Sequence, residues 1–152
     1  MLRIAITNRQ RALKLDRPTL RRIVRDVLNH EGIEEADISL VFVGDEEMHA
    51  LNRRHLAHDY PTDVLSFLLD ESPTEAGRSI EAEIIVSTEF AAQTAPKFDW
   101  STAEEVTLYV VHGLLHACGY DDLTTKEKSR MRRAERAALR RHGLETRYHG
   151  RK

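Results

Sequence analysis

His112-Gly113-Leu114-Leu115-His116-Ala117-Cys118-Gly119-Tyr120-Asp121-Asp122 is the stretch on which the reading of this chain turns. It closes an apolar run, Val106 to Leu115, that a capping box opens. Ser101 stands three residues before Glu104, the spacing at which a hydroxyl and a carboxylate satisfy the free N–H groups of a helix start. The pattern predicts one helix over 101–118. Its apolar residues run almost all the way round, so it is expected inside the molecule.

His112 and His116 are four residues apart, so on such a helix they stack on one face, one turn between them. Gly119 is the residue type that ends helices in the left-handed conformation. A chain that reverses there can bring the Asp122 carboxylate back to the two imidazoles; a helix that continued would carry it to another face. Two neutral imidazoles, one carboxylate and an open fourth position suit a catalytic zinc site, one ion per chain. The plainer alternative is a pair of satisfied core histidines. Two in register on a buried helix each need partners for their ring nitrogens, and the glycine and acid beyond them favour metal. Gly113 follows His112 where zinc peptidases of the H-E-x-x-H type carry a general-base Glu, which argues against a peptidase.

A chain of 152 residues is expected to be one domain with a real core. No apolar run reaches membrane-spanning length, and Met1-Leu2-Arg3-Ile4 lacks the pattern of a signal peptide. The single cysteine, Cys118, can form no internal disulfide and lies round the helix from the histidines, as a core residue would. A cytoplasmic protein with no membrane partner fits these features.

Around the histidine helix the chain alternates short strands and helices. Leu2, Ile4 and Ile6 read as a strand. A helix opens at Asp16 and Pro18 and runs to about His30, with Leu20, Ile23, Val24, Val27 and Leu28 inward and Gly32 after it. Ile38 to Val43 reads as a strand, followed by a helix from Asp45 to about Arg54 with Met48 and Leu51 inward. His55 to Pro61 is a polar loop and Val64 to Leu69 a third strand. Residues 70–79, with Pro73 and Gly77, read as an exposed turn region. Ala82 to Val86 is a fourth strand, and Thr88 to Ala95 a short helix that Pro96 stops. A last helix opens at Thr124, with Glu127 completing a second capping box, and ends before Gly143. The expectation is a single α+β domain over 1–152. About four strands form a mixed sheet packed with about five helices, the histidine helix is central, and 144–152 form a loose tail.

The charge is small in sum and uneven in place. Residues 1–25 hold eight Lys/Arg against one acid, residues 126–152 eleven against three, and residues 26–125 four against twenty-one. Basic ends flanking an acidic middle point to a local anionic partner, held by the first and last helices through residues such as Arg132, Arg133 and Arg136. A solvated arginine-rich face is the plainer alternative.

The pattern H-G-x-L-H-x-x-G-Y-D-D, with Pro61-Thr62-Asp63-Val64-Leu65-Ser66-Phe67 upstream, resembles the YbeY family of bacterial rRNA maturation factors over roughly residues 2–143. The resemblance implies a metal-dependent, single-strand-specific endoribonuclease acting on precursor rRNA in rRNA maturation and ribosome quality control. It implies the ribosome or its assembly factors as partners, and a metal on His112, His116 and Asp122. The family's third ligand is usually His, and here the matching position is Asp122, itself a ligand type. Many members carry an Arg where Leu56 stands, with Arg53 and Arg54 nearby in sequence. Family members commonly have Gly-Asp where Ala82-Glu83 stands. The resemblance also places Thr62, Asp63 and Ser66 beside the cleft, so these and Arg54 are candidate substrate contacts; by turn chemistry alone, Thr and Asp after Pro bond their own backbone. His55 and His58 read as solvated loop residues. Two rivals remain at this stage: a non-catalytic RNA-binding assembly factor with a structural metal, and a zinc hydrolase of another substrate. No residue declares itself as the general base.

Overall fold

The computed structural model describes residues 1–54, 63–148 and 151. Leu56, His55, His58 and Thr62 lie outside the described residues. Four strands, β1 (Leu2–Arg9), β2 (Ile33–Val43), β3 (Val64–Pro73) and β4 (Arg78–Ser87), form one sheet in the order β1-β2-β4-β3. β1, β2 and β4 run parallel, and β3 joins β4 as an antiparallel hairpin at the edge. Helix α1 (Arg17–His30) links β1 to β2, and α2 (Asp45–Arg54) follows β2. After β4 come α3 (Thr88–Thr94), a 3₁₀ turn (Ala95–Phe98), α4 (Thr102–Ala117) and α5 (Thr125–Arg141). Among the described residues this is the expected α+β fold with a mixed four-strand sheet and five helices.

Strand alternation sorts the two faces of the sheet. Ile38, Leu40, Phe42, Ile84 and Val86 point to the side that carries α1, α4 and α5, and all are fully buried. Val41, Val43, Ile85, Leu65 and Phe67 point to the other side, where Met48 and Leu51 of α2 cover them. α4 is the centre of the larger layer, touching β3, β4, α1, α3 and α5. Its apolar girth reflects that position, since it has almost no face left for solvent.

Gly113 lets α4 rest directly on the sheet. A Cβ there would stand 2.7 Å from Ile84 Cγ2 and 3.1 Å from Val64 Cγ2. The Ser66 hydroxyl donates to the Gly113 carbonyl at 2.8 Å, tying β3 to the same turn of the helix.

The structure corrects the sequence reading at three places. The exposed turn read over 70–79 shrinks to 74–77, because β3 runs on to Pro73 and β4 begins at Arg78. The β3 extension is polar and exposed and the β4 extension adds one buried apolar residue, Ile80, so the apolar signal is slight, while the ladder pairs backbone groups whatever the side chains. A register shift between Leu68 and Asp70 lets the hairpin continue. For the same reason β2 begins at Ile33 rather than Ile38, with Glu34, Glu35 and Asp37 exposed along it. Third, Tyr148 and Arg151 are not part of a loose tail. Tyr148 bonds Glu135 on α5, and Arg151 bonds Glu105 on α4.

Candidate metal centre

α4 starts as the sequence indicates. The Ser101 hydroxyl accepts from the Glu104 N–H, and the Glu104 carboxylate accepts from the Ser101 N–H. Its other end closes with Gly119 at φ 112°. The Gly119 N–H bonds the His116 carbonyl and the Tyr120 N–H bonds the Leu115 carbonyl, both at 3.0 Å. These two bonds satisfy the last free carbonyls and turn the chain back on itself.

The turn brings Asp122 to the histidines. His112 Nε2 and His116 Nε2 are 3.1 Å apart, with their rings at 80° to each other. Asp122 Oδ2 lies 3.5 Å from each nitrogen. Four ligands about 2.0–2.1 Å from an ion at tetrahedral angles lie about 3.3 Å from one another. The three donors thus already hold the spacing of three corners of such a site, and all three side chains are part-exposed, leaving an approach for a fourth ligand.

Sequence reasoning missed Glu135. It sits on the inner face of α5, one turn from Met131 and Leu139, and is 4 % exposed. Its Oε2 is hydrogen-bonded to His112 Nδ1, and its Oε1 accepts from the Tyr148 hydroxyl at 2.6 Å. Facing a carboxylate, which accepts, the neutral ring carries its proton on Nδ1 and keeps the Nε2 lone pair for a metal. Burial works to lower the His112 pKa; Glu135, Asp63 and Asp122 outweigh it and hold it above the ordinary value. The signal in the sequence was one acid on the apolar stripe of an otherwise arginine-rich helix.

The other candidates fall differently. Asp63, at the mouth of β3, has its carboxyl pKa raised by burial, with the His112 charge acting in the opposite direction. Ser66 is engaged by the Gly113 carbonyl, a structural bond. Arg54 is exposed at the end of α2, the helix on the opposite side of the sheet from α4. Cys118 is buried at the foot of α4, its thiol pushed up to about 12 by burial, and so is inert.

Comparisons with known proteins meet this geometry. The chain matches the family model described as Endoribonuclease YbeY over residues 5–143. It is 41 % identical over 126 residues to an Endoribonuclease YbeY of Salinibacter ruber, covering 80 % of each chain. It is 40 % identical over 124 residues to one of Pelotomaculum thermopropionicum, covering 79 % of this chain and 82 % of that one. The solution structure of a Thermotoga maritima protein shares the fold, with a TM-score of 0.59 at 22 % identity over 94 % of this chain and 92 % of that one. The matched span takes in β2, β3, β4 and most of β1, the histidine helix and the turn that carries Asp122, and the chain belongs to the YbeY family.

Proposed function

We propose that this chain is a metal-dependent endoribonuclease that cuts single-stranded RNA in the maturation and quality control of rRNA. One zinc ion per chain is held by His112, His116 and Asp122. The observation that carries the reading is the convergence of these three donors at single-ion spacing, in a chain whose relatives are named endoribonucleases. When bound, the ion supplies Lewis acidity to a phosphodiester or to the oxygen that attacks it. The chain's own part is to aim His112 through Glu135 and to offset the ion's charge with Asp122. Asp63, at the mouth of β3 and next in sequence to Thr62, is proposed to border the substrate path. The precursor rRNA implies ribosomal partners and the cytoplasm; among the described residues no helix is long and apolar enough to cross a membrane. The single-domain reading over 1–152 stands as part of the same proposal.

The fold gives the RNA a basic side. Asp26 of α1 accepts from Arg141 Nε at 2.7 Å and lies 3.2 Å from His142 Nε2, so the two basic ends of the chain meet. Between α1 and α5 lies a groove of about 380 Å³ edged by His30, Arg130, Arg133 and Arg141. Binding to single-stranded RNA should fall with salt, at a slope of about −0.7 per phosphate neutralised. Arg132 and Arg136 lie over the Tyr148 ring, so the cleaner test falls on Arg133, at the edge of the groove, and on Arg140 of the same helix, whose ion pair with Glu145 at 3.8 Å is exposed. Replacing both with Ala should flatten the slope by about one to one and a half and weaken all sequences alike. An unchanged slope in filter-binding titrations would move the RNA to another face.

Asp122 is tested by a pair of variants. Asp122→His should keep metal affinity, since imidazole is an equally suitable donor. Asp122→Ala should weaken it by at least about tenfold, the loss usual even for a group outside the ligand set. Equal zinc affinity of the Ala variant and the parent would remove Asp122 from the site. Cleavage of single- and double-stranded RNA, with and without chelator, decides the activity. Leu56 in place of the family's Arg favours one second reading, the assembly factor. That reading wins where the parent binds RNA yet cleaves none with any divalent metal.

A further inference from the structure

We propose that Tyr148 is a positioning residue for the metal centre, acting through Glu135 on His112, and that Arg151 is its anchor. The proposal rests on the metal-site reading above. Both residues lie beyond the span matched to the family, which ends at 143.

The anchor is a buried ion pair. Glu105 of α4 is 0 % exposed, and both its oxygens are taken by Arg151, at 2.7 and 2.6 Å. The Trp100 N–H adds a third bond at 2.6 Å. The Arg151 guanidinium lies 3.7 Å from the centre of the Phe98 ring, a cation held over an aromatic face. Burial alone would raise the Glu105 pKa; the Arg151 and Trp100 donors outweigh it and keep the group a carboxylate. The bidentate fork fixes direction as well as distance, which a lysine would not.

From the anchor the chain reaches the metal site in few steps. The Arg151 N–H bonds the Tyr148 carbonyl at 2.8 Å, and its Nε bonds the Arg147 carbonyl. The Tyr148 ring is held by Arg132 and Arg136, and its hydroxyl donates to Glu135 Oε1. Glu105 and His112 are seven residues apart on α4, two turns, so clamp and ligand share one face of the helix. A buried carboxylate with one partner is under-satisfied and free to rotate. Two opposed donors, Tyr148 and His112, leave Glu135 one orientation, and with it His112 one tautomer.

Tyr148→Phe keeps the ring and removes only the hydroxyl, so it is the deciding variant. Zinc affinity is read by competition with a chromophoric chelator, and the His112 tautomer by ¹⁵N shifts of its ring nitrogens in the metal-free protein, at a pH high enough that the ring is neutral. Glu135→Gln should weaken zinc by about 10- to 100-fold. Tyr148→Phe, one bond further out, should weaken it by about 3- to 10-fold and mix the His112 tautomers. Arg151→Ala should act by the same factor, and the double variant no more than either, because both work through one route. Should Arg151→Ala fail to fold, Tyr148→Phe alone decides. Parent-like zinc affinity and tautomer in Tyr148→Phe, beside a weakened Glu135→Gln, would overturn the proposal and leave the metal centre intact. A parent that binds no zinc would overturn both.

Discussion

His116→Ala should abolish metal-dependent cleavage of single-stranded RNA while leaving most of the salt-dependent binding. The variant removes one of three donors from a site with no spare among the described residues: the one group of His, Asp, Glu or Cys side chains there with single-ion spacing is His112, His116 and Asp122. His112 keeps its Glu135 bond, so the remaining pair stays ordered but falls short of the ligand number that a catalytic ion needs. Lewis-acid stabilisation is worth several kcal/mol of transition-state energy, so its loss is about a thousandfold or more in rate. Binding should survive because the proposed phosphate contacts are on α1 and α5, while none of the three metal-site residues lines the groove between those helices. Gel cleavage assays and binding titrations across a salt series, on the same preparation, separate the two. A variant that cleaves like the parent would mean that the activity does not use this metal, or is not this protein's.

Gly113→Val should destabilise the fold by about 3 kcal/mol, the upper range for forcing extra methyls into a packed core. The position carries three penalties at once. The first added carbon meets Ile84 Cγ2 at 2.7 Å and Val64 Cγ2 at 3.1 Å, both on strands that cannot retreat without opening the sheet. A β-branched residue also loses rotamer freedom on a helix. Any lift of α4 stretches the Ser66 bond to the Gly113 carbonyl. Thermal unfolding should show a midpoint lowered by about 6–12 °C for a domain of this size. Zinc affinity should fall with it, as α4 moves relative to α5 and the Glu135 bond lengthens. A midpoint within about a degree of the parent would show slack between helix and sheet that the packing denies. The same contact explains why no general-base Glu stands after His112: that position faces the sheet, not the metal.

The sequence by itself determined the elements whose causes are local. The capping box at Ser101 and Glu104, the one-turn spacing of His112 and His116 and the stop at Gly119 involve partners no more than five residues apart, and the structure reproduces each. Helix periodicity likewise marked the buried residues of α1, from Leu20 to Leu28, because one face of a helix must be apolar to pack. Asp122 was legible too, since a left-handed glycine sets the direction of the next three residues. Tertiary structure alone decided the rest. Glu135 is 23 residues from His112, Arg151 is 46 from Glu105, and Arg141 is 115 from Asp26. No local pattern encodes such pairs. A buried acid looks in sequence like any surface acid until the fold supplies its partner, and the burial that makes the bond strong is itself a product of the fold. The missed parts of β2, β3 and β4 were hidden for the complementary reason. Their ladders join backbone to backbone, and most side chains there are polar, with Ile33, Ala36 and Ile80 the few buried apolar ones.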